Sequence, residues 1–226
     1  MIESEWMACS DPQPMLRHLG CKAGERKRRL FACACCRRAW HLLADFRIRK
    51  AVETAERYAD NAASETELEA ASDSAEVVYR SGNSKTGSHA AAHAVIASTA
   101  GGLDASRTAV FAAQGIVNPK DMAEPNAYER ARLDAEHAEQ TSVLRDIVGN
   151  PFRAVAVEPS WLAWRGGMVS KIAQGIYNDR AFDLLPRLAD ALMEAGCTNE
   201  DILAHCRAGG EHVRGCWVVD LVLGKG

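Results

Sequence analysis

The sequence predicts an all-α protein, an irregular bundle of many helices. Apolar residues recur with helical spacing along most of the 226 residues, capping signals precede several of these stretches, and aromatic residues make up only 6 %. Abundant alanine favours closely packed helices over sheets. We expect the N- and C-terminal helices to share one core, with alanine-rich helices between them. The length fits a single domain, 1–226, with a possible soft division into 1–120 and 121–226.

The central helix is predicted over Arg26–Leu43. One apolar stripe along it consists of Cys33, Cys36, Trp40 and Leu43, and a second stripe lies beside it. The C-x-x-C spacing of Cys33 and Cys36 also occurs in redox and metal sites. A redox motif normally begins a helix, whereas this one lies about two turns inside. We therefore favour buried cysteines that act as small hydrophobic residues.

Capping signals place the helices on either side. Asp11-Pro12 opens a helix that ends at Gly20, and Asp45 caps the helix after the central one. Ser64-x-x-Glu67 is a capping box, so the next helix runs to about Tyr79.

Charge is divided between neighbouring segments of this half. Residues 22–50 are strongly basic and residues 53–76 are acidic. Helices of opposite sign that pair with each other are the simplest interpretation. The alternative is a patch that binds nucleic acid or an acidic partner.

The rest of the chain continues the helical pattern. Two alanine-rich helices, broken at Gly101-Gly102, are predicted over 89–114, and a long helix runs from Asn126 to a stop at Gly149. Residues 152–157 fit a short extended segment. Further helices are predicted over 159–164, 168–177, 182–195 and 198–205, the last opened by a capping box at Thr198. The apolar run Val213–Leu223 suits a helix or a strand, and the helical context favours a helix.

Three segments carry recognisable motifs. The first runs from Glu5-Trp6 and Asp11-Pro12 to RLFACACCRR (29–38) and Trp40-His41; the second is RDIVGNPFR (145–153); the third is HVRGCWVVDLVLGK (212–225), preceded by His205. Together they resemble a family of uncharacterised bacterial proteins. The resemblance implies a relationship through both ends of the chain and brings no established activity.

A C-terminal constellation of histidines and cysteines suits a metal. His205-Cys206-x5-His212-x3-Cys216 offers imidazole and thiolate ligands for zinc or iron, and Gly209-Gly210 lets the chain fold them inward. If the ends of the chain meet, two N-terminal cysteines complete the set. The candidate ligands are Cys33, Cys36, His205, Cys206, His212 and Cys216. Alternatively the C-terminal cysteines fill the core and the histidines bond to helix ends.

Weaker patterns offer other chemistry. A second metal set pairs His89-x3-His93 with Asp134-x2-His137, and a nucleophilic set joins Cys35 or Cys36 to His41 and Asp45. Several charges are embedded in apolar segments, where we expect buried ion pairs that tie the C-terminal segment to the long helix. These are Arg145, Asp146, Arg153, Arg214 and Asp220.

The function predicted first is a non-enzymatic interaction or scaffold module that binds a protein partner. The alternatives are a metal-binding protein (zinc or iron) and a binder of nucleic acid or acidic partners through 22–50. A net charge of −3 argues against general nucleic-acid binding. The N-terminus lacks a signal peptide and no apolar run approaches the roughly 20 residues of a membrane span, so we expect a cytoplasmic protein with reduced thiols. Enzymatic activity and oligomeric state are left open.

Overall fold

A computed structural model describes residues 1–81, 95–99, 104–117 and 125–225, except for the side chain of Cys21. All regular elements among these residues are helical, which confirms the all-α class. The α-helices are α1 (Glu3–Ala8), α2 (Pro12–Leu19), α3 (Gly24–Arg38), α4 (Phe46–Ala59), α5 (Glu65–Arg80), α6 (Ala105–Val117), α7 (Ala127–Val148), α8 (Pro159–Ala163), α9 (Met168–Asp179), α10 (Leu185–Glu194), α11 (Glu200–Arg207) and α12 (Trp217–Leu223). Short 3₁₀ turns cover Gly20–Ala23, Trp40–Leu42, Trp164–Gly166 and Phe182–Leu184. Residues 95–99 are also helical, while the predicted break at Gly101-Gly102 lies outside the described residues.

The chain divides into two compact units, Met1–Leu144 and Arg145–Gly226. The boundary falls inside α7, whereas the sequence favoured one domain with a soft division near residue 120. The core cluster formed by residues 161–222 belongs wholly to the second unit. A core shared by the two ends of the chain therefore stays a prediction.

Helix α3 is the centre of the first unit, as predicted. Every side chain from Arg29 to Cys36 is buried, so the helix is covered on all sides, and α4 and α6 pack against it. The helix is shorter than the predicted Arg26–Leu43, because the backbone leaves the α conformation at Ala39. Leu43 still reaches the interior through a 3₁₀ turn and is 1 % exposed.

Opposite charges on neighbouring helices pair, which confirms the simpler interpretation of the charge division. Arg37 in α3 makes two hydrogen bonds to the Glu56 carboxylate of α4, at 2.7 and 2.8 Å. Arg26 contacts Asp60 at 3.0 Å, just after α4. Such paired arginines fix the orientation of the two helices.

Three capping signals of the first unit are confirmed. Asp11 and Asp45 each accept a hydrogen bond from the amide two residues further on, at 2.9 Å. Ser64 and Glu67 form the reciprocal capping box at the start of α5. Each bond satisfies an amide that the first helical turn leaves without a partner.

The second unit is built from α8 to α12. The core cluster is surrounded by four helices, α9 to α12. Each of them packs against the next in the chain, and α12 also packs against α9. The predicted cap at Thr198 is wrong: Asn199 caps α11, its Oδ1 accepting the Ile202 amide at 3.1 Å. In the C-terminal run Val213–Leu223, which suits a helix or a strand, the structure has a helix, α12. This helix begins only at Trp217, and the four residues before it form a loop. Residues 152–157 form no strand.

Candidate metal centre

A buried carboxylate lies at the end of α7. Asp146 is in the last turn of the helix and is 4 % exposed. Its Oδ2 accepts a hydrogen bond from the backbone amide of Val213 at 2.9 Å. The charges embedded in apolar segments were expected to form ion pairs, some of which tie the C-terminal segment to the long helix. Asp146 does tie the two, in this contact through a backbone amide.

Two histidines approach this carboxylate from the C-terminal part of the unit. His205 lies in the last turn of α11, and His212 lies in the irregular segment between α11 and α12. His212 Nδ1 is 2.6 Å and His205 Nε2 is 3.2 Å from Asp146 Oδ1. The two imidazoles meet edge to face with centroids 5.0 Å apart, so both rings point to one oxygen.

The fourth member of the group is the thiol of Cys216. Cys216 is the residue before α12 and is fully buried. Its Sγ lies 3.2 Å from His205 Nε2. The four ligand-type atoms of Asp146, His205, His212 and Cys216 all lie within 4.8 Å of one another. Within the parts of the chain that the structure describes, no other group of three or more such side chains is this close.

Burial and charge act on these groups in opposite directions. Burial disfavours ionisation of Asp146, but its contacts with His205 and His212 outweigh it, so the pKa of the carboxyl is lowered. The hydrogen bond to Asp146 raises the pKa of His212 against the effect of burial. Burial, reinforced by the negative charge of Asp146, raises the pKa of the Cys216 thiol well above its usual value. Without a cation, the site therefore holds one anion and a neutral thiol.

The geometry does not fit a catalytic triad. In a triad, the histidine uses one ring nitrogen for the nucleophile and the other for the acid. Here the same atom, His205 Nε2, faces both Cys216 and Asp146 at 3.2 Å. A single nitrogen offers one proton or one lone pair, so it cannot serve both neighbours well. The arrangement converges on a point, as ligands of an ion do.

Two of the distances within the group are close to those between ligands of a tetrahedral metal. Bonds of about 2.0 to 2.3 Å place neighbouring ligand atoms roughly 3.3 to 3.7 Å apart. Two of the contacts measured here are 3.2 Å. The third, from His212 to Asp146, is a hydrogen bond of 2.6 Å that would open by roughly 0.7 Å around a metal. The remaining separations are at most 4.8 Å, so the ligand atoms would have to move by up to about 1 Å to surround one ion.

Outer contacts hold the ligands in place. His212 Nε2, the nitrogen turned away from Asp146, lies 3.4 Å from the carbonyl oxygen of Ala208, as is usual for a histidine that binds metal through its other nitrogen. The amides of Val218 and Val219 hydrogen-bond to the Cys216 sulfur and counteract part of the rise in its pKa. These bonds favour the thiolate that a metal requires.

The structure brings together three of the six predicted ligands. His205, His212 and Cys216 meet, whereas the Cys206 sulfur is outside this group. Both Cys206 and Cys216 belong to the core cluster, as the core-filling alternative predicted. Burial raises the pKa of the Cys206 thiol to about 12. The other two predicted ligands, Cys33 and Cys36, are buried in α3 of the first unit.

Asp146 is the member of the group that the spacing did not predict. It precedes His205 by 59 positions, too far for a local motif. Its one signal in the sequence is a charge between apolar residues next to a helix stop.

The weaker sets gain no support. His89 and His93 lie outside the described residues. Cys35 and Cys36 are buried, and Asp45 is engaged with Arg47.

The seven cysteines whose side chains are described are all free thiols. Nucleic-acid binding through 22–50 stays a prediction.

Comparisons of the chain with protein-family models, curated proteins and solved structures found no match. The resemblance of the end segments to a bacterial family therefore also stays a prediction. None of the helices described here is long and apolar enough to cross a membrane.

Proposed function

We propose that the second unit, residues 145–226, is a zinc-binding helical module. Its ligands are Asp146 Oδ1, His205 Nε2, His212 Nδ1 and Cys216 Sγ. The single observation that carries the proposal is the convergence of these four atoms, all within 4.8 Å of one another, on a largely buried point.

The ligand types favour zinc. One thiolate, two imidazoles and one carboxylate suit a borderline-soft ion in tetrahedral geometry. Magnesium and calcium prefer oxygen ligands in larger number, so this set disfavours both. Iron shares some of these ligands, and metal analysis separates it from zinc.

A metal held by four protein side chains has no free position for a substrate, and this supports a structural role. The ion would fasten the end of α7, the end of α11, the 208–215 loop and the start of α12 to one another. This agrees with a non-enzymatic interaction module, in which the metal maintains a shape that a protein partner in the cytoplasm recognises.

Metal analysis of the purified full-length chain tests the proposal. We expect about one equivalent of zinc per chain, and less than about one-tenth of an equivalent of zinc or iron after incubation with either metal would overturn the site. Cobalt should produce the intense visible absorption of a tetrahedral ion and the charge-transfer band of a bound thiolate.

Two cysteine variants provide a matched comparison. Cys216→Ser removes a proposed ligand, whereas Cys206→Ala changes an equally buried thiol beside His205 that is outside the group. We expect zinc to be lost from the first variant and retained by the second. Equal zinc content in both would exclude this ligand set.

A partner role is tested separately. Affinity capture with the zinc-loaded chain as bait should recover a protein that the Cys216→Ser chain does not recover. Identical recovery by both baits would separate the interaction from the metal.

A further inference from the structure

Trp217 lies between the segments that carry the ligands. It directly follows Cys216, and its indole packs against the His205 imidazole with ring centroids 5.2 Å apart. The side chain is half-buried at the edge of the core cluster. Its position is therefore linked to those of two proposed ligands at once.

The same indole lies against the backbone that follows the third ligand. Gly149 ends α7 three residues after Asp146, and its amide donates to the Arg145 carbonyl oxygen at 2.8 Å. A Cβ at this position would lie 3.1 Å from Trp217 Cγ and 3.2 Å from Cδ2, tighter than ordinary contacts between side chains. The indole can therefore approach the α7 terminus this closely only because residue 149 has no side chain.

Gly149 is also constrained by its backbone. Its φ is +74°, in the left-handed region that glycine adopts without steric cost. Two independent requirements, the positive φ and the close indole, thus favour glycine at one position beside the metal group.

We propose that Trp217 and Gly149 are positioning residues of the zinc centre: the indole, seated on Gly149, sets the separation of Asp146, His205 and Cys216. The proposal rests on the zinc-binding function given above. Neither residue contributes a ligand atom to the group. Residues that orient metal ligands typically contribute about 10- to 100-fold to metal affinity.

The test measures zinc affinity by competition with a chelator, under conditions in which circular dichroism shows the zinc-free variant to be folded. Trp217→Leu should weaken zinc binding about tenfold or more, and Trp217→Phe should stay within about threefold of wild type because it keeps a ring against His205. The cobalt spectrum of Trp217→Leu should change in band position or intensity, which a loss of stability alone would not cause.

Trp161 provides the matched control. It is a tryptophan of the same unit, 5 % exposed in the core cluster, and its side chain is not part of the ligand group. Trp161→Leu should lower the melting temperature but leave zinc affinity and the cobalt spectrum unchanged. If Trp161→Leu and Trp217→Leu weaken zinc binding equally, the positioning role is overturned.

Two substitutions at Gly149 separate its two constraints. Alanine adds both the backbone strain and the Cβ contact, whereas asparagine tolerates positive φ and adds mainly the contact. We expect both Gly149→Ala and Gly149→Asn to weaken zinc binding about tenfold. Wild-type affinity in Gly149→Asn would show that the approach to Trp217 is irrelevant, and this result would overturn the inference.

The outcomes distinguish the inference from the proposed function. A wild-type chain that binds no zinc removes both. If the wild-type chain binds zinc, and Trp217→Leu and Gly149→Asn bind it as tightly as wild type does, only the positioning role is excluded. If Trp217→Leu does not fold, the zinc affinity and the cobalt spectrum of Gly149→Asn still decide the question.

Discussion

Asp146→Asn is the sharpest perturbation of the metal centre. The substitution preserves shape but removes the negative charge that faces His212 at 2.6 Å and His205 at 3.2 Å. One amide oxygen can still accept the Val213 amide, now 2.9 Å from Oδ2. The amide nitrogen then takes the place of Oδ1 and presents a donor where the histidines need an acceptor.

The magnitude follows from burial. Asp146 is only 4 % exposed, so water replaces little of what is lost. Hydrogen bonds to a charged group contribute about 1.5 to 3 kcal/mol each, and breaking a buried charged pair costs about 3 to 5 kcal/mol. Because Asn keeps part of the bonding, we expect the zinc-free protein to lose about 2 to 4 kcal/mol of unfolding free energy. Zinc affinity should fall by more than about 100-fold, beyond the effect of losing an outer contact.

The assay combines urea unfolding of the zinc-free chain with chelator competition for zinc. Asp201→Asn is the control, since Asp201 is in the same unit but is an exposed partner of Arg153 at 3.4 Å. A surface pair of this kind contributes about 0 to 1 kcal/mol, and zinc affinity should not change. Zinc affinity of Asp146→Asn within about threefold of wild type would refute the assignment of the ligand.

Three further predictions concern pH, a helix cap and a buried ion pair. Without zinc, the raised pKa of His212 contributes stability at low pH that is lost as pH rises through its folded pKa, and the lowered pKa of Asp146 contributes stability that is lost as pH falls through its own. Zinc affinity should instead increase with pH across the histidine range, since protons compete for the ligands. Urea and chelator titrations at several pH values check this, and a zinc-free stability that also rises with pH across the histidine range would contradict it. Ser64→Ala removes the cap of α5 and should cost about 1 kcal/mol in urea unfolding without changing zinc content; no loss of stability would contradict the capping role. Arg38→Ala removes the two hydrogen bonds, of 2.8 and 2.9 Å, that the Glu136 carboxylate accepts from Arg38. Because Glu136 is only 6 % exposed, the substitution should lower the unfolding free energy by about 3 kcal/mol. A loss below about 1 kcal/mol would show that the pair is not buried in solution.

Much of the helical layout was predictable because its signals are local. Asp11, Asp45 and the box of Ser64 and Glu67 each act within a single helical turn, so the spacing alone identifies them. The end of α3 could not be predicted in this way. Its apolar stripe continues to Leu43 whether the chain remains helical or enters a 3₁₀ turn, since both conformations bury that side chain.

The candidate site also contains residues that local spacing identified and residues that only the fold brings together. Histidine and cysteine in the 205–216 segment are close in sequence, so their types and spacing indicated a metal before any fold was known. Cys206 and Cys216 both belong to the core cluster. Only the fold shows that the Cys216 sulfur also faces His205, 3.2 Å from its Nε2, while the Cys206 sulfur lies outside the group.

The sequence by itself determined the helical class, most of the caps and three members of the candidate site, because each depends on contacts between residues near one another in the chain. The tertiary structure alone decided that Asp146 joins this group and that Gly149 lies beneath Trp217. Both depend on where the end of a long helix meets a segment some 60 to 70 residues further on, and such a meeting is determined by the packing of the whole unit.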